Sequence, residues 1–399
     1  MNLLFITISH LSNINDSNIY TDLMRTFRDK GHQVYIVSPR ERRYKISTGL
    51  NIQENVYLLG VKTLNIQKTN VIEKGIGTVL IEKQFNRAIK KYLKDIKFDL
   101  ILYSTPPITL TSTIKKIKQR DKAKTYLLLK DIFPQNAVDL GMIKKNGLIH
   151  RYFRHKEILL YKISDYIGCM SPVNVEYIIK HNPKILYNKP IEVSPNCIDV
   201  PINNEKLNKI DILKKYNIPE NVVKFIYGGN LGKPQGIDFL LRIIEQTKNE
   251  KAFFIIAGTG TEYSRINKWF ELNNPTNALL IHQLPVDEYE KLVKSCDVGL
   301  ILLDKRFTIP NFPSRLLSYI SNFIPVLTIT DKNTDIGSIA VKNGYGFWAE
   351  HGDLDASLEC LRLFYDKNKR KEMGRNGYEF FLNNYTTSYC YDSIIKHLK

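Results

Sequence analysis

"FIYGGNLGKPQG", residues 225–236, carries an apolar strand-like run into Gly228, Gly229 and Gly232, and "IDFLLRIIEQT" (237–247) follows with helical spacing. A strand, a glycine-rich turn and an amphipathic helix make half of a βαβ unit. Glycines at such a turn let backbone N–H groups come close to a phosphate. The pattern is neither G-x-G-x-x-G nor a P-loop, because no G-K-[ST] is present, and a plain turn explains it as well. "KAFFIIAG" (251–258) is a second strand with a similar end, continuing into "TGTEYSRI" (259–266).

The same alternation extends in both directions. Downstream lie strand-like "NALLIHQ", "DVGLILL", "PVLTIT" and "YGFWAE", separated by helical "YSRINKWFELN", "VDEYEKLVKSC" and "RLLSYISN". Upstream, strands "NLLFITIS", "HQVYIVS", "FDLILYS" and "KTYLLLK" alternate with helical "IYTDLMRTFRDKG", "VLIEKQFNRAIKKYLKDI" and "TSTIKKIKQRD". This rhythm predicts parallel sheets with helices on both faces. The chain is therefore α/β, with two Rossmann-like domains over 1–198 and 199–384. They join near "EVSPNCIDVPINNEK" (192–206), a stretch rich in Pro and Asn. The tail reads as two helices broken near Asn384, the last, about 385–399, packing back on the first domain. Two such domains facing each other form a cleft at the carboxyl ends of their sheets, the expected active site.

With 399 residues, 43% hydrophobic and 25% charged, the composition is that of a folded soluble protein. No apolar run approaches the roughly 18 residues of a membrane span. The start, "MNLLFITISHLS", has no basic n-region and reads as a strand, not a signal peptide. Cys169, Cys197, Cys296, Cys360 and Cys390 are scattered without a C-x-x-C pair, which fits a reducing cytoplasm. The net charge of +18 is lopsided: residues 1–200 hold 32 Lys and Arg against 17 Asp and Glu, a surplus of +15. "KKIKQRDKAK" (115–124) and "KKNGLIHRYFRHKE" (144–157) concentrate it, the second mixing cations with Leu148, Ile149, Tyr152 and Phe153. Such a surface suits an anionic membrane or a phosphorylated substrate; a merely solvated lysine-rich face is the alternative. No recognition motif supports nucleic acid as a partner.

"NFPSRLLSYI" (311–320) is the third candidate site segment of the second half. Pro313 and Ser314 read as a helix start, with Arg315 in the first turn. There a forked guanidinium suits a phosphate. Backbone amides with Arg315 and Lys233 would cradle a diphosphate, although an ordinary surface cation also fits Arg315. In the first half, Asp131 follows "KTYLLLK" and precedes Phe133 and Pro134, where a carboxylate could orient an acceptor hydroxyl or simply cap a turn. His10, His150, His155 and His282 show no metal spacing, and no D-x-D is flanked by apolar strand residues.

In the order of these motifs the chain resembles the GT-B glycosyltransferases of the retaining family 4 type, particularly fucosamine-transferase-like enzymes of bacterial capsule and O-antigen assembly. "FDLILYSTPPITL" (98–110), "KDIFPQNAVDLGMI" (130–143) and "SPNCID" (194–199) are similar to that group's acceptor domain. "GGNLGKPQGIDFLL" (228–241), "IIAGTGTE" (255–262) and "GYGFWAEHGDLDASLECLRLFYDKNKRKEMGRNG" (344–377) resemble its donor domain. Cys197 stands where the family usually has Gly.

The resemblance implies a hexosyl- or N-acetylhexosaminyltransferase with no cofactor and no metal, whose donor is a nucleoside-diphosphate sugar, UDP-linked. Its acceptor would be a glycan on a polyprenyl diphosphate, and its place the inner face of the plasma membrane, peripherally bound. It implies donor binding by Gly229, Asn230, Lys233, Gly258, Glu262, Ser314 and Arg315, with Arg315 on the diphosphate. Acceptor contacts are implied at Ser171 and Asn196, and Asp131 becomes the acceptor-orienting group. The family pattern places a ribose-binding Glu one turn after the basic residue; here that position is Ser318, and its partner Glu falls at Pro310. Asp331 and Asp335 in "TDKNTDIG" (330–337) are candidates to supply the missing carboxylate, or are turn and cap residues. Two rival readings stay open. One is a catalytically silent GT-B partner subunit; the other is a UDP-sugar 2-epimerase using Glu262 and His282.

Overall fold

The computed structural model describes residues 1–67, 69, 71–201 and 208–398. The chain divides into two compact units, one of Met1–Asp199 with Thr387–Lys399, the other of Val200–Thr386. Residues 202–207, part of the Pro- and Asn-rich join, lie outside the described residues.

The first unit is built on β1 (Asn2–Ile6), β2 (Gln33–Glu41), β3 (Gly49–Gln53), β4 (Val56–Thr63), β5 (Leu100–Ser104), β6 (Lys124–Leu129), β7 (Tyr166–Cys169) and β8 (Ile191–Val193). Their order is β3-β4-β2-β1-β5-β6-β7-β8, parallel except for β3 against β4. The central strands read as unbroken apolar runs because helices cover both faces. Leu3 to Ile6 of β1 are fully buried, and every residue of β5 is buried. The final helix, Thr387–Ile395, belongs to this core: Cys390, Tyr391, Ile394 and Ile395 pack with Leu3, Phe27 and Cys197. The Tyr391 ring meets Phe27 edge-on at 4.9 Å, and its hydroxyl lies 2.8 Å from His32 Nε2. Asp199 ties the end of the unit to the same helix through the Thr387 hydroxyl at 2.8 Å.

The second unit contains β9 (Val223–Asn230), β10 (Ala252–Thr259), β11 (Ala278–Ile281), β12 (Val298–Leu302), β13 (Val326–Thr330) and β14 (Gly346–Glu350). They form one parallel sheet in the order β11-β10-β9-β12-β13-β14. The chain winds outward from β9 on one side and from β12 on the other. The carboxyl ends of this adjacent pair are thus the switch point at which open α/β sheets bind ligands. The two glycine-rich strand ends meet there in register, Gly258 opposite Gly229.

Gly258 has φ +155, and a Cβ added to it would collide with the Gly229 carbonyl oxygen. Gly258→Ala therefore forces the two strand ends apart. We expect a loss of about 1–3 kcal/mol, the cost of overpacking a fixed site, read as a lowered urea midpoint with an unchanged slope. A midpoint equal to wild type would mean the strand ends are not held in this contact.

Candidate functional site

Arg315 opens a helix of six residues, Arg315–Ile320. Leu316, Leu317, Tyr319 and Ile320 are buried and anchor it on the sheet. The Tyr319 hydroxyl donates to the Ile226 carbonyl at 3.1 Å, pinning the helix over β9. The guanidinium carbon of Arg315 then lies 4.2 Å from the centroid of the Tyr227 ring, a close cation–π stack. Its Nη2 is 3.6 Å from where a Gly229 Cβ would stand. Its Nη1 is buried with no hydrogen-bond partner, and no carboxylate pairs with Arg315 among the described residues. A helix this short has a small macrodipole, so the fixed charge of Arg315 carries the attraction for an anion.

The surrounding turn is shaped by its own hydrogen bonds. The Tyr227 hydroxyl donates to the Asn230 carbonyl at 2.9 Å, and the Gly232 N–H donates to Gln235 Oε1 at 3.1 Å. Gly229, Asn230 and Lys233 are exposed on it, while Gly258 is buried beside it. Ser314 is exposed at the helix N-cap position without a side-chain cap bond. Glu262 is engaged by Arg265 at 2.9 Å, and His282 packs edge-on to Tyr263. Asp331 accepts from the Asn333 N–H at 2.8 Å and the Thr334 hydroxyl at 2.9 Å. Thr334 Oγ1 in turn accepts from the Asn311 N–H at 3.1 Å, so Asp331 braces the loop that leads into Arg315. Asp335 is buried at the N-cap position of helix Ile336–Lys342.

Ser318 instead meets a residue that sequence reasoning did not single out. Its hydroxyl donates to Glu290 Oε1 at 2.9 Å, and the Asn322 amide reaches Oε2 at 3.4 Å. Glu290 lies on helix Val286–Lys294. Burial raises its pKa above the ordinary carboxylate range, against the lowering effects of the Ser318 hydroxyl, the Lys294 charge and the Asn322 amide. The preceding residue, Tyr289, places its hydroxyl where a Cβ on Gly228 would lie. A pairing across 28 residues leaves no mark in local spacing.

In the first unit, Asp131, Ser171 and Asn196 follow the carboxyl ends of the adjacent strands β6, β7 and β8. Thr105 Oγ1 accepts from the Lys130 N–H at 2.9 Å and the Asp131 N–H at 3.2 Å, fixing that turn. The Asp131 carboxyl is pushed up to about 6 by burial. Beside it, burial lowers the pKa of Lys130, whose Nζ reaches the Ser194 carbonyl at 3.3 Å. Ser171 is the N-cap of helix Pro172–His181, and its hydroxyl donates to Asn174 Oδ1 at 2.9 Å. Asn196 is buried with Oδ1 unpartnered.

Residues 208–380 match the family model described as "Glycosyl transferases group 1". The matched segment falls within the second unit, Val200–Thr386. Over 286 residues the chain is 24% identical to "Probable glycosyltransferase WbjE" of Pseudomonas aeruginosa, covering 70% of this chain and 69% of that one. It is 21% identical over 131 residues to "Putative colanic acid biosynthesis glycosyl transferase WcaI" of Escherichia coli K12, about a third of each chain. Anabaena HepE, solved in complex with UDP and glucose, superposes with a TM-score of 0.70 at 12% identity, covering 100% of this chain and 99% of HepE. Likeness of that extent shows the fold, which is GT-B.

The raised pKa of Asp131 gives a test of its setting. A carboxyl that titrates near 6 in the folded protein binds its proton more tightly than the unfolded chain does. Stability is therefore lost as the pH rises from the ordinary carboxylate range through about 6, and no further above. Asp131→Asn should melt higher than wild type at pH 8, with the gap closing as the pH falls towards about 4. An equal gap at both values would show that the carboxyl is not desolvated.

Proposed function

We propose that the protein moves a hexosyl or N-acetylhexosaminyl group from a UDP-linked donor to a polyprenyl-diphosphate-linked glycan, retaining the anomeric configuration, during assembly of a bacterial surface polysaccharide. The observation that carries this reading is the buried, unpartnered Nη1 of Arg315 at the switch point of the sheet. A guanidinium stays charged, and leaving it buried and uncompensated is costly. A diphosphate supplies the missing charge and oxygen acceptors. The group 1 domain and the colanic acid assignment of WcaI support sugar transfer in polysaccharide assembly. The UDP and glucose bound to HepE support the donor.

In the step itself, the bond between the anomeric carbon and the diphosphate oxygen breaks, and the bond to the acceptor oxygen forms on the same face. The acceptor's proton passes to the departing diphosphate oxygen. Arg315 stabilises the charge that develops there, and the nearby backbone amides add fixed donors. Ionised Asp131 accepts a hydrogen bond from the acceptor hydroxyl and so orients it, with Ser171 and Asn196 as further acceptor contacts. Gly229, Asn230, Lys233, Gly258 and Ser314 line the approach of the donor. A silent partner subunit would bind donor without ever releasing its sugar, and an assay of donor hydrolysis separates the two readings.

Removing Arg315 tests the reading directly. Hydrogen bonds to charged groups contribute about 1.5–3 kcal/mol, so Arg315→Ala should weaken UDP binding roughly tenfold or more in calorimetry while the melting temperature holds. Arg315→Lys keeps the charge, loses the fork and the stack on Tyr227, and should fall between. Unchanged UDP affinity in Arg315→Ala would remove this residue from the donor site.

The same proposal places the protein peripherally on an anionic inner leaflet. No helix among the described residues is long and apolar enough to cross a membrane. Met142, Leu148 and Ile149 are 69%, 85% and 61% exposed at and before the start of helix Leu148–Ile163, beside exposed Lys144, Lys145 and Arg151. Arg154 points elsewhere, bonded to Glu157 at 2.6 Å and to Asn182. Basic residues near an anionic surface contribute about 1 kcal/mol each, and exposed apolar side chains add interfacial contact. Reversing Lys144, Lys145 and Arg151 to Glu should release the protein from anionic liposomes in sedimentation. It should also slow transfer to a lipid-linked acceptor while sparing a short soluble one. Undiminished sedimentation of the triple variant would leave this face merely solvated.

A further inference from the structure

We propose that Glu290, held in place by Ser318, is the carboxylate that receives the ribose diol of the donor nucleotide. The inference rests on the sugar-nucleotide reading and adds a residue on a separate helix to it. Ser318 follows Arg315 by three residues in one continuous helix, so the two side chains lie within about one turn, ~5 Å along the axis. A nucleoside diphosphate presents its diol a few bonds from its phosphates, a separation of that order. An anion seated at Arg315 Nη1 thus brings its ribose towards Ser318.

At Ser318 the ligand would meet a negative charge. Glu290 Oε1 accepts from the Ser318 hydroxyl at 2.9 Å, while Oε2 has only the long 3.4 Å contact with the Asn322 amide. An ionised carboxylate has about four lone-pair sites, so both oxygens retain capacity. Glu290 makes no ion pair among the described residues. A diol supplies two O–H donors with matching spacing, and each bond to a charged acceptor is stronger than one to a neutral group. Ser318 alone offers no such charge; its hydroxyl proton is already directed at Glu290. Asp331 is taken up within its own turn, and Asp335 sits at the N-cap position of the next helix.

The division of labour follows from the packing. Tyr289 sits against the β9 glycines and Glu290 against Ser318, so helix Val286–Lys294 contributes to both ends of the donor position. Glu290 is the binding group; Ser318 is a positioning residue that fixes its rotamer. A carboxylate serving only to join two helices would hold them equally well with any nucleotide present, whereas one that takes the diol must distinguish ribose from deoxyribose.

The experiment is calorimetric titration of the full chain with UDP and with 2′-deoxy-UDP, on wild type, Glu290→Gln, Ser318→Ala and Arg315→Ala. Wild type should prefer UDP by roughly tenfold, the scale of one charge-assisted hydrogen bond. Glu290→Gln should bring UDP affinity down to that of 2′-deoxy-UDP and leave the latter within about twofold of wild type. Ser318→Ala should narrow the same ratio without abolishing binding. Melting temperatures close to wild type exclude misfolding, and the near-isosteric Gln and the small Ala provide two independent variants. A UDP to 2′-deoxy-UDP ratio unchanged in Glu290→Gln, with binding still sensitive to Arg315→Ala, overturns the role of Glu290 and leaves the donor site standing. Absence of UDP binding in wild type overturns both.

Discussion

The half-buried Arg315 stacks on Tyr227 at the end of β9 with its buried Nη1 facing no partner, and much of the second unit is arranged to hold it there. Tyr227 supplies the face beneath it, and Tyr319 fixes the helix that carries it. Glycine at 229 leaves room beside Nη2, and glycine at 258 lets the neighbouring strand end close up behind. The Asp331–Thr334–Asn311 chain braces the loop that delivers it. Desolvating a charge without pairing it is expensive. A stable fold retains such a group where an anion completes the pairing on binding, and that ligand then stabilises the folded state by mass action.

The first unit shows the complementary use of burial. At the end of β6, desolvation moves two neighbouring groups in opposite directions, Asp131 upwards and Lys130 downwards. Both shifts favour neutral forms. Asp131 near 6 remains largely ionised at neutral pH, as its proposed role towards an acceptor hydroxyl requires. The Thr105 hydroxyl that ties both backbone amides keeps this pair rigid.

How much of this was legible in the sequence follows from the range of the interactions involved. The parallel sheets were readable because strands such as "KAFFIIAG" and "FDLILYS" are unbroken apolar runs; the contact of Gly229 with Gly258 was not, because it depends on the pairing of β9 with β10. The break near Asn384 was readable too: helices Lys367–Asn384 and Thr387–Ile395 flank it. β7 and β8 were not, since four- and three-residue strands carry no periodicity. The β3–β4 pair escaped because β3 is mostly exposed and its polar pattern resembles a loop. Helix Leu148–Ile163 is marked in the sequence by cations mixed with Leu148, Ile149, Tyr152 and Phe153, but its bounds are not. At the site, Arg315 announced itself through Pro313 and Ser314. Glu290 could not, because its partner lies 28 residues away on another helix. Asp331 and Asp335 are near Ser318 in sequence, whereas Glu290 reaches Ser318 from the helix that precedes β12.

The central claim, that Arg315 at the β9–β12 switch point is completed by a nucleotide diphosphate, is tested most directly by a crystal structure of the protein grown with UDP. The account predicts diphosphate oxygens within hydrogen-bond distance of Arg315 Nη1 and close to the backbone of Gly229. UDP bound elsewhere, with Nη1 still unpartnered, would contradict it.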